Sequence, residues 1–344
     1  MPLGQIAFLG SGETSLAGGR VFESLARALP QPLRIAVLET PAGFELNSHQ
    51  VAGRVADFLK ARLANYTPFI DVVSARKRGT PFSPDEAEIV RPLLYADLIF
   101  MGPGSPTYAA RQLKDSLAWE IIRVRHRLGA TLAFASAATI SIGAWALPVY
   151  EIYKVGEEVH TKTGLNLFAD YGMQVSFIPH WNNADGGDDL DTSRCFIGME
   201  RFDLWCQAVP EDNTTIGLDE HTGLIIDFAN GICEVNGVSS VSLVRGGDPK
   251  MYPAGAKFPL SELGDLKLPD PIQRGIRPEV WDMVVNAPPP EENKPSEKVL
   301  ELFELRRQAR ANKQWAESDR LRDQIAALGW TVQDTKEVQK LVKS

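Results

Sequence analysis

Ser136 stands where an apolar run, Thr131–Ala135, gives way to the small residues Ala137 and Ala138. A serine at a sharp turn from strand to helix presents its hydroxyl over the helix N-terminus, and small neighbours relieve the crowding of such a turn. There Ala137 would offer a backbone N–H to an oxyanion. The same residue also suits a helix cap, a common role for serine at such a junction. A serine nucleophile needs a base and a group that orients the base. The chain holds five histidines. His49 begins a helical stretch, His126 lies among Arg123, Arg125 and Arg127 on a face expected to be solvated, and His160 belongs to a polar connection. His180 directly follows the apolar run Val175–Pro179, so it can project from the same sheet end as Ser136, and His221 lies near another strand end. Two further turns, Gly10-Ser11-Gly12-Glu13 and Gly102-Pro103-Gly104-Ser105-Pro106, have glycines that free amide N–H groups for an anion. Neither GxGxxG nor GxxxxGK[ST] is present, so no nucleotide cofactor is expected. Cys195, Cys206 and Cys233, an odd number without a CxxC pair, predict buried thiols rather than a disulfide framework or a metal site.

These residues must be carried by alternating elements. Strands are predicted at Ile6–Leu9, Leu33–Leu38, Phe69–Val73, Leu98–Met101 and Thr131–Ala135, with helical stretches near 16–29, 49–64, 84–95, 106–127 and 137–146. The pattern predicts an α/β fold, a mostly parallel doubly wound sheet flanked by helices, whose ligands gather beyond the carboxyl ends of the strands. Shorter segments at 174–178, 215–218, 223–226 and 231–235 are expected to form the far half of that sheet with an antiparallel edge. The domain expected over 1–285 ends at a proline-rich linker, 286–295, which is followed by a pair of amphipathic helices over 296–344 with Gly329 ending the second. The 344 residues carry a formal charge of −8, yet 296–344 holds ten Lys+Arg and eight Asp+Glu, a net +2, which leaves −10 for the rest. With 44% apolar and 23% charged residues the chain is not mainly disordered. No apolar run is long enough for a membrane span and the N-terminus has no basic n-region, so a cytoplasmic protein is expected.

Gly10-Ser11-Gly12-Glu13, Ile99–Gly104 before a helix, Ala135-Ser136-Ala137-Ala138, Ile178-Pro179-His180-Trp181 and Gly217-Leu218-Asp219-Glu220-His221-Thr222 occur in an order that resembles the cyanophycinase and dipeptidase E family. These are serine peptidases with a class I glutamine amidotransferase-like fold, and the likeness spans about residues 1–245. It implies Ser136 as nucleophile, His180 as general base and an orienting carboxylate at Glu151 or Glu220. It further implies an oxyanion hole at Gly104 and Ala137, and a pocket rim at Asn182, Asn183 and Arg194. Amidotransferases of this fold use cysteine at the elbow, so glutaminase chemistry is not expected here. Phe134 and Ala138 stand where the family usually has glycine, and Pro103, which lacks an N–H, stands in the oxyanion turn. Ser141, also among small residues, is expected to be an ordinary helical residue.

Residues 306–335, with Ala316–Asp323 and Asp334-Thr335 as the most specific parts, are similar to the C-terminal helices of cysteinyl-tRNA synthetases. The expected function is a serine hydrolase acting on a small peptide, amide or aspartyl-linked substrate. The alternative is an inactive relative that serves as a binding protein, its C-terminal hairpin contacting tRNA or a partner protein. The candidate RNA contacts are Arg306, Arg307, Arg310, Lys313, Arg320 and Arg322, although +2 is a small charge for nucleic-acid binding. A homodimer is the other assembly considered.

Overall fold

Short apolar runs alternate with helices through the first half of the chain. They form β1 (Ile6–Leu9), α1 (Leu16–Ala26), β2 (Arg34–Leu38), α2 (Ser48–Arg62), β3 (Phe69–Val73), α3 (Ala87–Val90), β4 (Leu98–Met101), α4 (Pro106–Leu113), α5 (Leu117–Arg127), β5 (Thr131–Ala135) and α6 (Ala137–Ile142). The second half brings the pair β6 (Trp145–Ala146) and β7 (Lys162–Thr163), then β8 (Val175–Ile178), α7 (Gly198–Ala208) and β9 (Thr214–Leu218). β10 (Thr222–Asp227), β11 (Ile232–Gly237), β12 (Ser240–Val244), β13 (Lys250–Pro253), β14 (Lys257–Pro259) and α8 (Pro278–Val285) complete it. This computed structural model describes residues 2–270, 275–288, 297–334 and 339–343, and the chain divides into two units, Met1–Ala287 and Pro288–Ser344.

The first unit is built on an eight-stranded sheet in the order β14-β11-β10-β1-β5-β4-β2-β3. β1 to β5 run parallel, and β10, β11 and β14 add an antiparallel side. Both faces are apolar, as a sheet covered by helices requires. Phe8, Leu38, Ile99 and Phe134 face one core, while Leu9, Val37, Phe100 and Ala135 face the other. Because β1, β5 and β4 are adjacent, the turns that follow them lie side by side at one sheet end.

The chain after residue 151 departs from expectation. β8 and β9 do not extend the large sheet but belong to a second, four-stranded one, β13-β12-β9-β8. Every residue of β8 and β9 is buried, and a fully buried strand does not announce its neighbour through periodicity. Other elements are shorter than predicted. The stretch 106–127 breaks into α4 and α5 at Asp115, with φ 57°, and Ser116 caps α5 by accepting from the Trp119 N–H at 3.1 Å. Pro92 turns the end of 84–95 into a 3-10 turn, Arg91–Tyr95. α6 stops at Ile142, where Gly143 passes so close to Ser176 that a Cβ would lie 3.0 Å from its Cα. His126, expected on a solvated face, is fully buried: Nε2 donates to the Gly4 carbonyl at 2.8 Å and Nδ1 accepts from the Tyr171 hydroxyl at 2.6 Å. Cys195 and Cys233 are buried and Cys206 is half-buried, all three as free thiols.

In the second unit α9 (Glu297–Ala311) and α10 (Trp315–Ala327) form the helical pair, and Gly329 follows with φ 79°. A β-hairpin absent from the prediction, β15 (Trp330–Asp334) with β16 (Gln339–Lys343), continues it, and Val299, Ile325, Trp330 and Val332 make the core. Arg306, offered as an RNA contact, is instead buried against Asp334 in a two-pronged ion pair, 3.0 and 2.7 Å. Most of the proline-rich stretch, 289–295, and Thr335 lie outside the described residues. Among the described residues no helix is long and apolar enough to cross a membrane, and no group of His, Cys, Asp or Glu could hold a metal ion.

Candidate active site

Three strand ends bring the site together. At the end of β5 the backbone turns sharply at Ser136, with φ 51° and ψ −120°, a conformation that costs energy for any residue with a Cβ and aims the side chain out of the turn. Ser136 makes no side-chain cap bond to α6, which leaves its hydroxyl free of the capping role. Phe134, bulky beside the elbow, lies on one face of the sheet next to Phe8, its neighbour on β1, with ring centroids 5.5 Å apart, and is buried in the core there. Ala138 donates its N–H to the Gly102 carbonyl at 3.2 Å, which joins the elbow to the turn after β4. Within that turn Gly104 has φ 147°, and a Cβ would lie 2.0 Å from the Pro41 carbonyl oxygen, so only glycine fits. Ser141 is an internal helical residue that donates to the Ala138 carbonyl at 2.8 Å.

β8 and β9 are parallel neighbours, so the residues beyond their carboxyl ends meet. His180 follows β8 and Glu220 follows β9. Ser136 Oγ lies 3.1 Å from His180 Nε2, and His180 Nδ1 lies 2.7 Å from Glu220 Oε1. The second sheet is pinned to the first at Gly10. The His180 N–H donates to the Gly10 carbonyl at 3.1 Å, the Ser136 N–H reaches the Leu9 carbonyl at 3.4 Å, and a Cβ on Gly10 would lie 2.1 Å from the Asp219 carbonyl oxygen. The first glycine turn therefore works as the seam between the sheets.

Glu220 is held from several sides. Asn183, itself buried, donates to Oε1 at 3.1 Å, and Asn182 Oδ1 accepts the Glu220 N–H at 2.8 Å. Both asparagines, expected on a pocket rim, thus spend these groups on Glu220, Asn183 on its carboxylate and Asn182 on its backbone N–H. Burial pushes the Glu220 carboxyl up, but hydrogen bonds from His180 and Asn183 outweigh it and hold the group below its ordinary value. Glu151, the other candidate carboxylate, is not on His180: its Oε1 accepts from Thr107 Oγ1 at 2.6 Å. Arg194 folds back over the Trp181 ring, 3.8 Å from the centroid, and donates to the Trp181 carbonyl at 2.9 Å. It lines a cleft of about 810 Å³ between α7 and the second sheet.

Several supporting residues escaped the sequence reading. Asp219 Oδ2 accepts from Ser239 Oγ at 2.6 Å and from the Ser240 N–H at 3.0 Å, and Thr222 Oγ1 accepts from the Ser239 N–H at 3.0 Å, bracing the turn that carries Glu220. The signal for them was the Gly217–Thr222 motif itself. Phe196, whose ring lies 5.4 Å from that of His180, comes from a left-handed run, Arg194 to Phe196, that nothing in the sequence marks.

Comparison with known proteins adds a fold likeness and a domain match. The crystal structure of a peptidase from an acI-B1 Actinobacterium is 20% identical with a TM-score of 0.60, covering 75% of this chain and 97% of that one. The peptidase fold is therefore shared. Residues 294–340 match the cysteinyl-tRNA ligase anticodon binding domain. Cysteine–tRNA ligase of Pseudomonas putida (strain W619) is 34% identical over 159 residues, 44% of this chain and 26% of the ligase. That of Phocaeicola vulgatus (strain ATCC 8482) is 58% identical over 36 residues, 10% of this chain and 7% of the ligase. The chain thus spans about a quarter or less of the length of these curated relatives. It resembles that peptidase in its fold and cysteinyl-tRNA ligases in its C-terminal segment.

Proposed function

We propose that the first unit is a serine-type hydrolase of the cyanophycinase and dipeptidase E kind, which cleaves a small peptide or aspartyl-linked amide in the cytoplasm. The observation that carries this is the continuous relay Ser136 Oγ, His180 Nε2, His180 Nδ1, Glu220 Oε1, at 3.1 and 2.7 Å. With Glu220 accepting from Nδ1–H, the neutral imidazole keeps Nε2 free to take the Ser136 proton as Oγ attacks the carbonyl. The same nitrogen then returns the proton to the leaving amine. Water repeats the cycle on the acyl-enzyme, with His180 again as base. The tetrahedral oxyanion sits beside the elbow, where the N–H groups of Ala137 and Gly104 are the donors, Pro103 having none to give. Peptidase fold likeness at 20% identity supports the scaffold, and the relay supports the chemistry.

A fluorophosphonate probe tests the assignment. It is expected to label the protein at Ser136, and Ser136→Ala to abolish labelling; labelling elsewhere, or none in the unsubstituted protein, defeats the triad and favours the inactive binding protein.

A second reading concerns the other unit. The match of 294–340 to an anticodon binding domain supports a contact with tRNA or with a partner protein. Arg306 is not available for it, and Arg310, Arg307, Arg320 and Arg322 pair with Asp334, Glu304, Glu317 and Asp319. Such exposed pairs are weak and exchange readily for phosphate.

A further inference from the structure

Glu39, the first residue after β2, is 1% exposed, and the relay does not use it. Its carboxylate gathers four hydrogen bonds from two other segments. Oε2 accepts from Ser48 Oγ, at the start of α2, at 2.9 Å and from Arg76 Nε at 2.6 Å. Oε1 accepts from Ser74 Oγ at 2.9 Å and from Arg76 Nη2 at 3.4 Å. Ser74 and Arg76 continue the chain beyond β3. Well-packed apolar residues often replace a buried ion pair without loss of stability, so the pair is weak evidence of a stabilising role. What distinguishes this one is the turn it holds.

Thr40–Ala42 form a 3-10 turn tied at both ends. Thr40 Oγ1 donates to the Ala75 carbonyl at 2.5 Å, and the Ala42 N–H donates to the Glu39 carbonyl at 3.0 Å. Between these ties the Pro41 carbonyl accepts the Ser105 N–H at 2.9 Å and lies against Gly104, so closely that a Cβ there would meet it. Arg76 reaches the same region by a second route. Its own carbonyl accepts from the Tyr108 hydroxyl of α4 at 2.8 Å. The turn over 102–105 thus rests on a base whose shape the Glu39 carboxylate sets.

We propose that Glu39 is a positioning residue: by drawing Ser48, Ser74 and Arg76 together it fixes the Pro41 carbonyl and, through it, the Gly104 N–H beside the elbow. Its effect on turnover rests on the hydrolase reading; its hold on the turn does not. Two readouts on the full-length protein test it, amide hydrogen exchange over 102–105 and the rate of fluorophosphonate labelling at Ser136 against pH. The variants are Glu39→Gln and the pair Glu39→Met with Arg76→Met, which leaves no lone charge in the interior. Exchange of the Ser105 N–H is expected to rise about tenfold, with the segments that carry His180 and Glu220 unchanged. The high-pH plateau of labelling is expected to fall about tenfold, since a donor misplaced by about 1 Å weakens transition-state binding. The pH midpoint, which reports His180, stays where the unsubstituted protein has it. If neither Glu39 variant folds, Ser74→Ala, which removes one donor, is expected to move both readouts in the same directions by about threefold. A folded variant with unchanged exchange over 102–105 overturns the proposal, as does unchanged labelling in one whose turn has loosened. A fall in labelling that comes with a moved midpoint also overturns it, because the effect then lies on the relay. Absence of labelling in the unsubstituted protein defeats the hydrolase alone, and exchange then decides whether Glu39 holds the turn.

Discussion

Ser136 and Glu220 are prepared by different means, one by backbone conformation and the other by donors. The elbow at Ser136 is over-determined by Gly102, Leu9 and the buried alanines around it, so its unfavourable φ persists. Glu220 depends on the hydrogen bonds it receives. Asn183→Leu removes a donor to the charged form, and the Glu220 carboxyl is expected to titrate at higher pH than in the unsubstituted protein, read by carbon NMR of its carboxyl. The sign for stability follows from the lowered folded-state value. Glu220's contribution is fully present above the ordinary glutamate range and is lost as pH falls through the lowered one, so the asparagine matters least in acid. The serine and histidine were legible in the sequence because motif and strand end coincide there. The choice of Glu220 over Glu151 was not, since two carboxylates cannot be ranked without knowing which strands are neighbours.

Among the elements, the seam between the two sheets decides the site. Gly10→Ala would push a Cβ into the Asp219 carbonyl, 2.1 Å away, and separate the Glu220 turn from the His180 backbone. Labelling of Ser136 is expected to fall by at least tenfold, and the melting temperature to drop by several degrees, as a cost of about 2 kcal/mol from such a clash implies. α5 supplies a second test. Burial pushes His126 down to about 4. The unfolded chain therefore takes up the proton first, and stability is lost as pH falls from about 6.5 towards 4, by about 3 kcal/mol in all. His126→Gln, which keeps a donor for Gly4, is expected to flatten that slope in urea unfolding at pH 6.5 and 4.5. Arginines on either side made His126 look solvated, but Arg127 is buried with it and Arg123 and Arg125 are half-buried, their charges met by Asp170 and by the Ala96 carbonyl.

For the whole molecule, the charge is unevenly shared, with the acidic balance in the unit that carries the relay and a net +2 over 296–344. If the second unit contacts tRNA, deleting 288–344 is expected to abolish retention of tRNA at about 50 mM salt, and the full chain to lose retention between about 50 and 200 mM, as phosphate contacts require. Equal retention by both proteins removes that contact. Sequence by itself determined the alternating elements, the parallel character of the sheet through β5, the serine elbow, the histidine after a buried strand and the two C-terminal helices, because each rests on local periodicity or on a contiguous motif. Only the tertiary structure decided that β8 and β9 form their own sheet, that Glu220 rather than Glu151 faces His180, that Asn183 holds that carboxylate and Asn182 the Glu220 N–H, and that Arg306 is buried. These depend on which distant segments lie side by side, and buried strands and long polar side chains carry no local mark of their partners.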